Sequence, residues 1–271
     1  MKRYVFCIKW GTRYSAEYVN RLYRMVRKHS TLEYQFICFT DNANEIQEGV
    51  TIFPLPELGV EHPKNVPGKW RKTALWQADL FGLNGVALFI DLDTVIVDNI
   101  DCFFKHGNPE DVIVTRNWLK PTKKLGQTTL FRYPVGKNKK VYDDFQSDPQ
   151  GIADKFQFEQ HYVTHQIGNK LQYWPIQWVK HYRCHCLTNN YIKRYFKAAN
   201  IPPGCKVIAF PGWPDPDLAA KGIWNHGQTK HPTPIQHLYS AFKKSDRVHP
   251  KLLSHLKGYQ KPCTWINEQW K

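Results

Sequence analysis

Residues 86–103 read VALFIDLDTVIVDNIDCF, and the heart of that stretch is Phe89-Ile90-Asp91-Leu92-Asp93-Thr94-Val95. The apolar run 86–90, preceded by a turn over 82–85, is the pattern of a strand buried on both faces. In extended backbone, residues i and i+2 point to the same side, so Asp91 and Asp93 face one way while Leu92 packs into the core. Two hard oxygen ligands at a strand end suit Mg²⁺ or Mn²⁺ bridging phosphates. An ion held there neutralises charge building on a departing diphosphate. Two such aspartates can also be plain turn chemistry, so the surrounding chain has to carry part of the argument.

Working outward towards the N-terminus, 3–9 reads as a buried first strand and 10–12 as a loop. Ser15 is placed to cap a helix running to about 28, in which Tyr18, Leu22, Met25 and Val26 form one apolar face. Residues 34–40 form a second strand, closed by Asp41-Asn42 as a turn, and 50–55 form a third. A loop punctuated by proline and glycine over 57–68 leads into a helix expected over 69–80. Strands alternating with helices imply a mostly parallel layered sheet. Ligands gather at the carboxyl ends of such strands, which puts the ends at Lys9, Thr40 and Asp93 on one edge.

Towards the C-terminus the pattern loosens. Strands are expected over 112–115, 128–133 and 207–210, and helices over 141–146 and 158–169. The tail from 222 mixes His, Pro and Lys with scattered Trp, and there is neither an internal repeat nor a low-complexity tract.

At 271 residues, with 42% hydrophobic and 23% charged residues, the composition is that of a globular chain and excludes a disordered one. The 38 Lys and Arg against 23 Asp and Glu give a formal charge of +15, which implies an anionic partner such as a nucleotide diphosphate, nucleic acid or an anionic membrane surface. The 7 cysteines include no CxxC pair, and Cys7 and Cys38 sit inside apolar strands. That usage fits a reducing, cytoplasmic setting better than a disulfide framework. No apolar run approaches the ~20 residues that span a bilayer, so membrane contact is expected to be peripheral at most.

The segment 86–103 resembles the DxD strand of GT-A glycosyltransferases, in particular the bacterial and glycogenin-like branch. Other pieces resemble that family in the same order. These are the first strand and helix over 6–23, with Tyr14-Ser15 and Asn20-Arg21-Leu22-Tyr23; Phe39-Thr40-Asp41-Asn42; and Lys69-Trp70-Arg71-Lys72. They continue with Tyr173-Trp174-Pro175 through Trp178-Val179-Lys180, Tyr182 and His185, and with PCTWINEQW at 262–270. The resemblance covers nearly the whole chain. It implies an α/β chain of GT-A type, a Rossmann-like nucleotide-diphospho-sugar transferase with a mostly parallel mixed sheet flanked by helices. One domain is expected over 1–271, with a donor-nucleotide and metal half at 1–102 and an acceptor half at 103–271 that includes the tail.

Carried onto this chain, the resemblance implies that Asp91 and Asp93 hold Mn²⁺ or Mg²⁺, with Asp91 shared with the donor and Leu92 between them in the donor site. Lys9, Trp10, Gly11 and Thr12 after the first strand, with Asp41 after the second, would receive the base and ribose. Lys72 would face the phosphates, though a solvated lysine at a helix start is the competing reading. Glu159-Gln160 sits where the family has Asp-Gln beside the transferred sugar. A carboxylate there orients the acceptor hydroxyl, takes its proton or stabilises oxocarbenium character; a helix-start glutamate favoured by the macrodipole is the alternative. The implied partners are a nucleotide-sugar donor, UDP by default, and a glycan, lipid-linked or protein acceptor.

One departure stands out. Where the family places a metal-binding His in a turn, this chain has Phe210-Pro211-Gly212-Trp213-Pro214-Asp215-Pro216. Pro211 cannot bind metal and Asp215 reverses the expected charge. His226 is the candidate substitute ligand and would bring Lys230 with it. His161 and His165 are spaced i, i+4 but lack the glutamate of a metalloprotease helix, and Cys184-His185-Cys186 has no second pair for a zinc site. Two other functions compete. A phosphatase of the haloacid dehalogenase type also uses a strand followed by DxDxT, but that motif opens its domain, whereas about 90 residues precede it here. A non-catalytic nucleic-acid binder would suit the charge, but no finger, RNP or helix-turn-helix signature supports it.

Overall fold

The computed structural model describes residues 1–225, 227–243, 247 and 249–271. Contacts divide the chain into two compact units: Met1–Tyr23, Ser30–Leu92 and Ile100–Ile176 form the first, and Arg24–His29, Asp93–Asn99 and Gln177–Lys271 the second.

The first unit is built on strands whose sequences leave no polar face. β1 (Arg3–Lys9) buries Tyr4, Val5, Phe6 and Cys7 in succession. The helix α1 (Ala16–His29) follows, with Glu17 in its first turn and Arg27, Lys28 and His29 in its last, each sign complementing the helix dipole. β2 (Gln35–Thr40) and β3 (Thr51–Phe53) come next, then β4 (Val86–Ile90), every residue of which is buried. The short β5 (Thr94–Ile96), immediately after the two aspartates, belongs to the second unit. A one-turn helix, α2 (Asp101–Lys105), leads to β6 (Ile113–Arg116) and the long β7 (Gly126–Pro134). Helices α3 (Lys140–Ser147), α4 (Pro149–Phe156) and α5 (Glu159–Ile167) precede the last strand of this unit, β8 (Gln172–Tyr173).

The seven strands of this unit run in the order β3-β2-β1-β4-β7-β6-β8. β1 is parallel to both β2 and β4, and β2 to β3. β7 enters antiparallel between β4 and β6, with a register shift between Val114 and Thr115. The expected mixed, mostly parallel sheet is therefore present, and β1, β2 and β4 end on one edge. Phe6, Phe39, Trp76, Phe89, Phe131 and Tyr133 lie in a single buried cluster. Within it, Trp76 stacks on Phe131 at 5.5 Å and Phe6 meets Phe39 edge-on at 5.1 Å. Such ring pairs add about 0.5–1.5 kcal/mol each beyond their buried area.

One expected element differs. In place of an α-helix over 69–80, residues Trp70–Trp76 wind as a 3₁₀ helix. With three residues per turn, Trp70, Thr73 and Trp76 fall on the same side, and all three are buried. The Thr73 hydroxyl donates to the Trp70 carbonyl at 2.6 Å, reinforcing the tight turn. Gln77 then turns extended, at φ −55° and ψ 148°.

In the second unit, β9 (Val179–His181) and β10 (Val207–Ala209) join β5 in the order β5-β10-β9. Here β10 is antiparallel to β5 and parallel to β9. Among the described residues the short helices α6 (Pro216–Ala220), α7 (Pro234–Ser240), α8 (Leu252–Lys257) and α9 (Thr264–Gln269) follow. Residues Tyr182–Cys186 form a single wide turn of π type rather than extended chain. The Tyr182 hydroxyl donates to Gln260 at 2.9 Å inside this unit. Among the described residues no helix is long and apolar enough to cross a membrane, and no disulfide joins the cysteines.

Candidate active site

The carboxyl ends of β1 and β2 are stitched together by polar contacts. Lys9 is buried, and its ammonium donates to the Asn42 carbonyl at 3.1 Å. The Gly11 amide donates to the Asp41 carboxylate at 2.9 Å. Gly11 needs its freedom here: its φ is +59°, a region that side-chain-bearing residues rarely adopt. Beside it Trp10 is 44% exposed, stacks against His62 at 6.3 Å, and lies beneath the Arg71 guanidinium at 5.4 Å. Thr12 follows, exposed, in the same turn. A partly exposed aromatic side chain beside a cation and the Gly11–Asp41 loop is a suitable neighbour for a flat, polar ring.

At the end of β4 a charged cluster has formed. The Lys72 ammonium, carried in by the 3₁₀ helix, lies 2.6 Å from the Asp91 carboxylate. It also donates to the Thr128 carbonyl at 3.1 Å and sits 4.8 Å from the centre of the Phe89 ring. Asp91 extends the ladder to β7, its amide donating to the Thr129 carbonyl at 2.9 Å. Burial pushes the Asp91 carboxyl above its ordinary range, opposed by Lys72 and by a hydrogen bond from Thr129. Leu92, as expected, is buried.

Glu159 joins this cluster from the first turn of α5. It is 4% exposed and accepts a 2.6 Å hydrogen bond from the Thr128 hydroxyl. Burial raises its carboxyl to about 7, with Lys72 and Thr128 pulling it down and Asp91 pushing it further up. Its second oxygen is buried with no hydrogen-bond partner, as is the side-chain oxygen of Gln127 on β7. Buried polar atoms left open in this way cost roughly 1–3 kcal/mol each unless something else meets them. Gln160 is half-buried; its carbonyl accepts from Thr164 at 2.7 Å, one turn along the helix.

Lys72, Asp91 and Glu159 are thus brought together, while Lys9, Trp10, Gly11 and Asp41 form the neighbouring loops on the same sheet edge. Thr128, Thr129 and Gln127 were missed in the sequence because they arrive on β7, about 40 residues after the aspartates, in a stretch that reads only as a strand. Arg71 was passed over beside the more conspicuous Lys72.

In the second unit the Asp93 carbonyl accepts from the Phe210 amide at 3.0 Å, which continues the β5–β10 ladder. Phe210 stacks on Tyr182 at 4.5 Å. The carbonyl of Pro211 accepts from Arg183 at 3.3 Å, and Asp215 is buried, 2% exposed, at the start of α6. His226 lies outside the described residues. Among the described residues there is no group of three His, Cys, Asp or Glu side chains placed to hold a metal. Asp91 and Asp93 nevertheless supply the oxygen donor type that Mg²⁺ and Mn²⁺ prefer. Mg²⁺ is commonly held by one or two carboxylates with substrate phosphates completing the shell, and the donor chemistry of an aspartate such as Asp91 fits such an ion.

No protein-family model matches this chain, and no curated protein matches it by sequence. Solved structures do. The galactosyltransferase LgtC, determined in complex with donor and acceptor sugar analogs, is 11% identical over 79% of this chain and 88% of its own, with a TM-score of 0.57. The bifunctional glycosyltransferase WbbM, in its apo form, gives 11% identity over 95% of this chain and 52% of its own, with a TM-score of 0.54. The apo glycosyltransferase GlyE of Streptococcus pneumoniae TIGR4 gives 10% identity over 94% and 62%, with a TM-score of 0.52. At this identity the likeness is one of backbone architecture. A mixed sheet in this strand order, matched by these solved glycosyltransferases, shows that the chain has the GT-A fold.

Proposed function

We propose that this chain is a glycosyltransferase that moves a sugar from a nucleotide-sugar donor, by default a UDP-sugar, to a hydroxyl of a glycan, lipid-linked or protein acceptor. The observation that carries the reading is the partly buried Lys72–Asp91–Thr128–Glu159 cluster at the carboxyl end of β4 in a GT-A fold. The parallel edge of an α/β sheet is where such folds collect ligands.

In this reading the Trp10 face and the Gly11–Asp41 loop receive the base and ribose. Lys72 offers the diphosphate a positive charge already positioned in a partly dry site, where it acts more strongly than in water. Asp91 and Asp93 would hold Mn²⁺ or Mg²⁺, whose contribution is to neutralise charge on the leaving diphosphate. Glu159, with a carboxyl near 7, is suited to accept the proton of an acceptor hydroxyl, since a base works best when its pKa lies near the working pH. Its second oxygen, buried without a hydrogen-bond partner, is the atom that would take the proton. The phosphatase alternative has its DxDxT strand open the domain; here that strand is the fourth in the chain, not the first.

The test is a thermal-shift screen of UDP, GDP and CMP and their sugars, with and without Mn²⁺, on the wild-type chain and Asp93→Ala. Ligand binding to the folded state alone raises Tm by mass action. A shift that requires nucleotide and Mn²⁺ together and disappears in the variant supports the donor site and names the base. No shift with any nucleotide, from a folded protein, removes the transferase reading.

A further inference from the structure

The first unit contains a concavity of about 920 Å³, lined by Arg116 of β6, Lys124 of the β6–β7 loop, Lys155 of α4, His161 and His165 of α5, and Tyr173 of β8. It lies on the other side of α5 from Glu159. At 100° per residue, Glu159, Tyr162 and Val163 share the helix face turned to the core, and all three are buried. His161, Thr164 and His165 point away from that face and line the concavity.

Its chemistry is one-sided. No aspartate or glutamate lines it. Among the described residues, Arg116, Lys124 and Lys155 make no ion pair with a carboxylate. The Arg116 guanidinium carbon lies over the Tyr173 ring, 4.2 Å from its centre, and Lys155 sits 5.2 Å from the Phe156 ring. Positive charge also bears on His161 from Lys120, which together with burial lowers its pKa. Cations gathered in a concave site without counter-charges focus potential on an anion entering it. Thr122, Asn169 and Gln172 add hydroxyl and amide groups to the same lining, and the ring of Tyr173 adds an apolar face.

We propose that this cleft binds an anionic glycan, one whose sugars carry carboxylate or phosphate groups, and so anchors an acceptor chain beside the helix that bears Glu159. The proposal rests on the transferase reading for the glycan nature of the ligand. Its charge preference rests on the lining alone. Amides, hydroxyls and one aromatic face suit a hydroxyl-rich ring, and Arg116 and the lysines suit its acidic substituents. A volume near 900 Å³ is at the upper end of the roughly 300–1,000 Å³ usual for small-ligand sites, room for more than one sugar.

The experiment is fluorescence anisotropy with labelled oligogalacturonate, a phosphorylated oligomannose, a neutral oligogalactan and a single-stranded DNA oligomer at about 0.15 M salt, where long-range charge is largely screened. The chain's net charge of +15 attracts any polyanion, so the double variant Lys124→Glu/Lys155→Glu is compared with Lys137→Glu/Lys139→Glu. These exposed lysines lie outside the cleft, and the change in net charge is the same. The expected result is that the cleft variant weakens at least one acidic glycan tenfold or more, the control variant less than twofold, and the neutral glycan binds to neither. Which acidic glycan responds tells carboxylate from phosphate. Equal weakening by both double variants, no binding of either acidic glycan, or tighter cleft-dependent binding of the DNA overturns the proposal. A nucleotide-dependent thermal shift that persists in the cleft variant keeps the donor site separate, so failure here and failure of the transferase reading are told apart.

Discussion

Replacing Glu159 by Gln isolates the electrostatics of the cluster. The side chain keeps its size, and its carbonyl still accepts from the Thr128 hydroxyl. What disappears is a carboxyl raised from an ordinary 4.5 to about 7, chiefly by burial. Because the folded-state value lies above the unfolded one, the folded chain holds the proton more tightly. The stability this contributes is complete below about pH 4.5 and is lost as pH rises through about 7. At 1.36 kcal/mol per pH unit, the gap between those values corresponds to about 3 kcal/mol in the wild type. The variant has no such group, so the difference in stability between Glu159→Gln and wild type should grow in the variant's favour by about 3 kcal/mol between pH 4.5 and 8.5. At roughly 2–4 °C per kcal/mol for a chain of this size, that is about 6–12 °C in Tm. Paired urea and thermal melts across this range measure it, and titrating groups outside the Lys72–Asp91–Glu159 cluster cancel in the difference. A gap constant to within about 1 kcal/mol would refute the view that Glu159 is buried as a shifted acid. The same substitution should abolish any transferase turnover while leaving nucleotide binding intact, measured by product formation and by thermal shift.

Other consequences follow from the packing. Lys72→Met leaves Asp91 without its cation; because 26% of the Asp91 side chain is accessible, the loss should be about 2 kcal/mol, below the 3–5 typical of a fully buried pair, read by urea unfolding at pH 7. Trp76→Ala removes a buried ring from between Phe131 and Tyr133 and should cost about 3–5 kcal/mol by the same assay; a cost under 1 kcal/mol would contradict the packing described. Gly136 has φ +79°, and an added Cβ would lie 2.6 Å from the Ala78 carbonyl oxygen. Gly136→Ala should therefore lower stability by about 2–4 kcal/mol, visible as a reduced Tm.

The sequence alone determined the strands that carry the site, because each is a run of consecutive apolar residues that must be covered on both faces. β1 spans Arg3–Lys9 and β4 Val86–Ile90, the same residues the pattern marks, and their polar continuations at Lys9 and Asp91 mark the edge where ligands gather. The GT-A architecture was legible for the same reason: several weak motifs in fixed order, each tied to a strand or its loop. The 3₁₀ form of Trp70–Trp76 was not, since its choice over an α-helix depends on burying Trp70, Thr73 and Trp76 together, which local propensity does not encode. Nor could the sequence reveal that Lys72 meets Asp91 or that Thr128 meets Glu159. Those contacts cross 19 and 31 residues of chain; the first exists because the 3₁₀ helix brings Lys72 to the end of β4, the second because α5 packs against β7. The raised pKa of Glu159 is likewise a tertiary property: a glutamate at a helix start is ordinarily solvated and acidic, and only closure of the core around α5 removes its water.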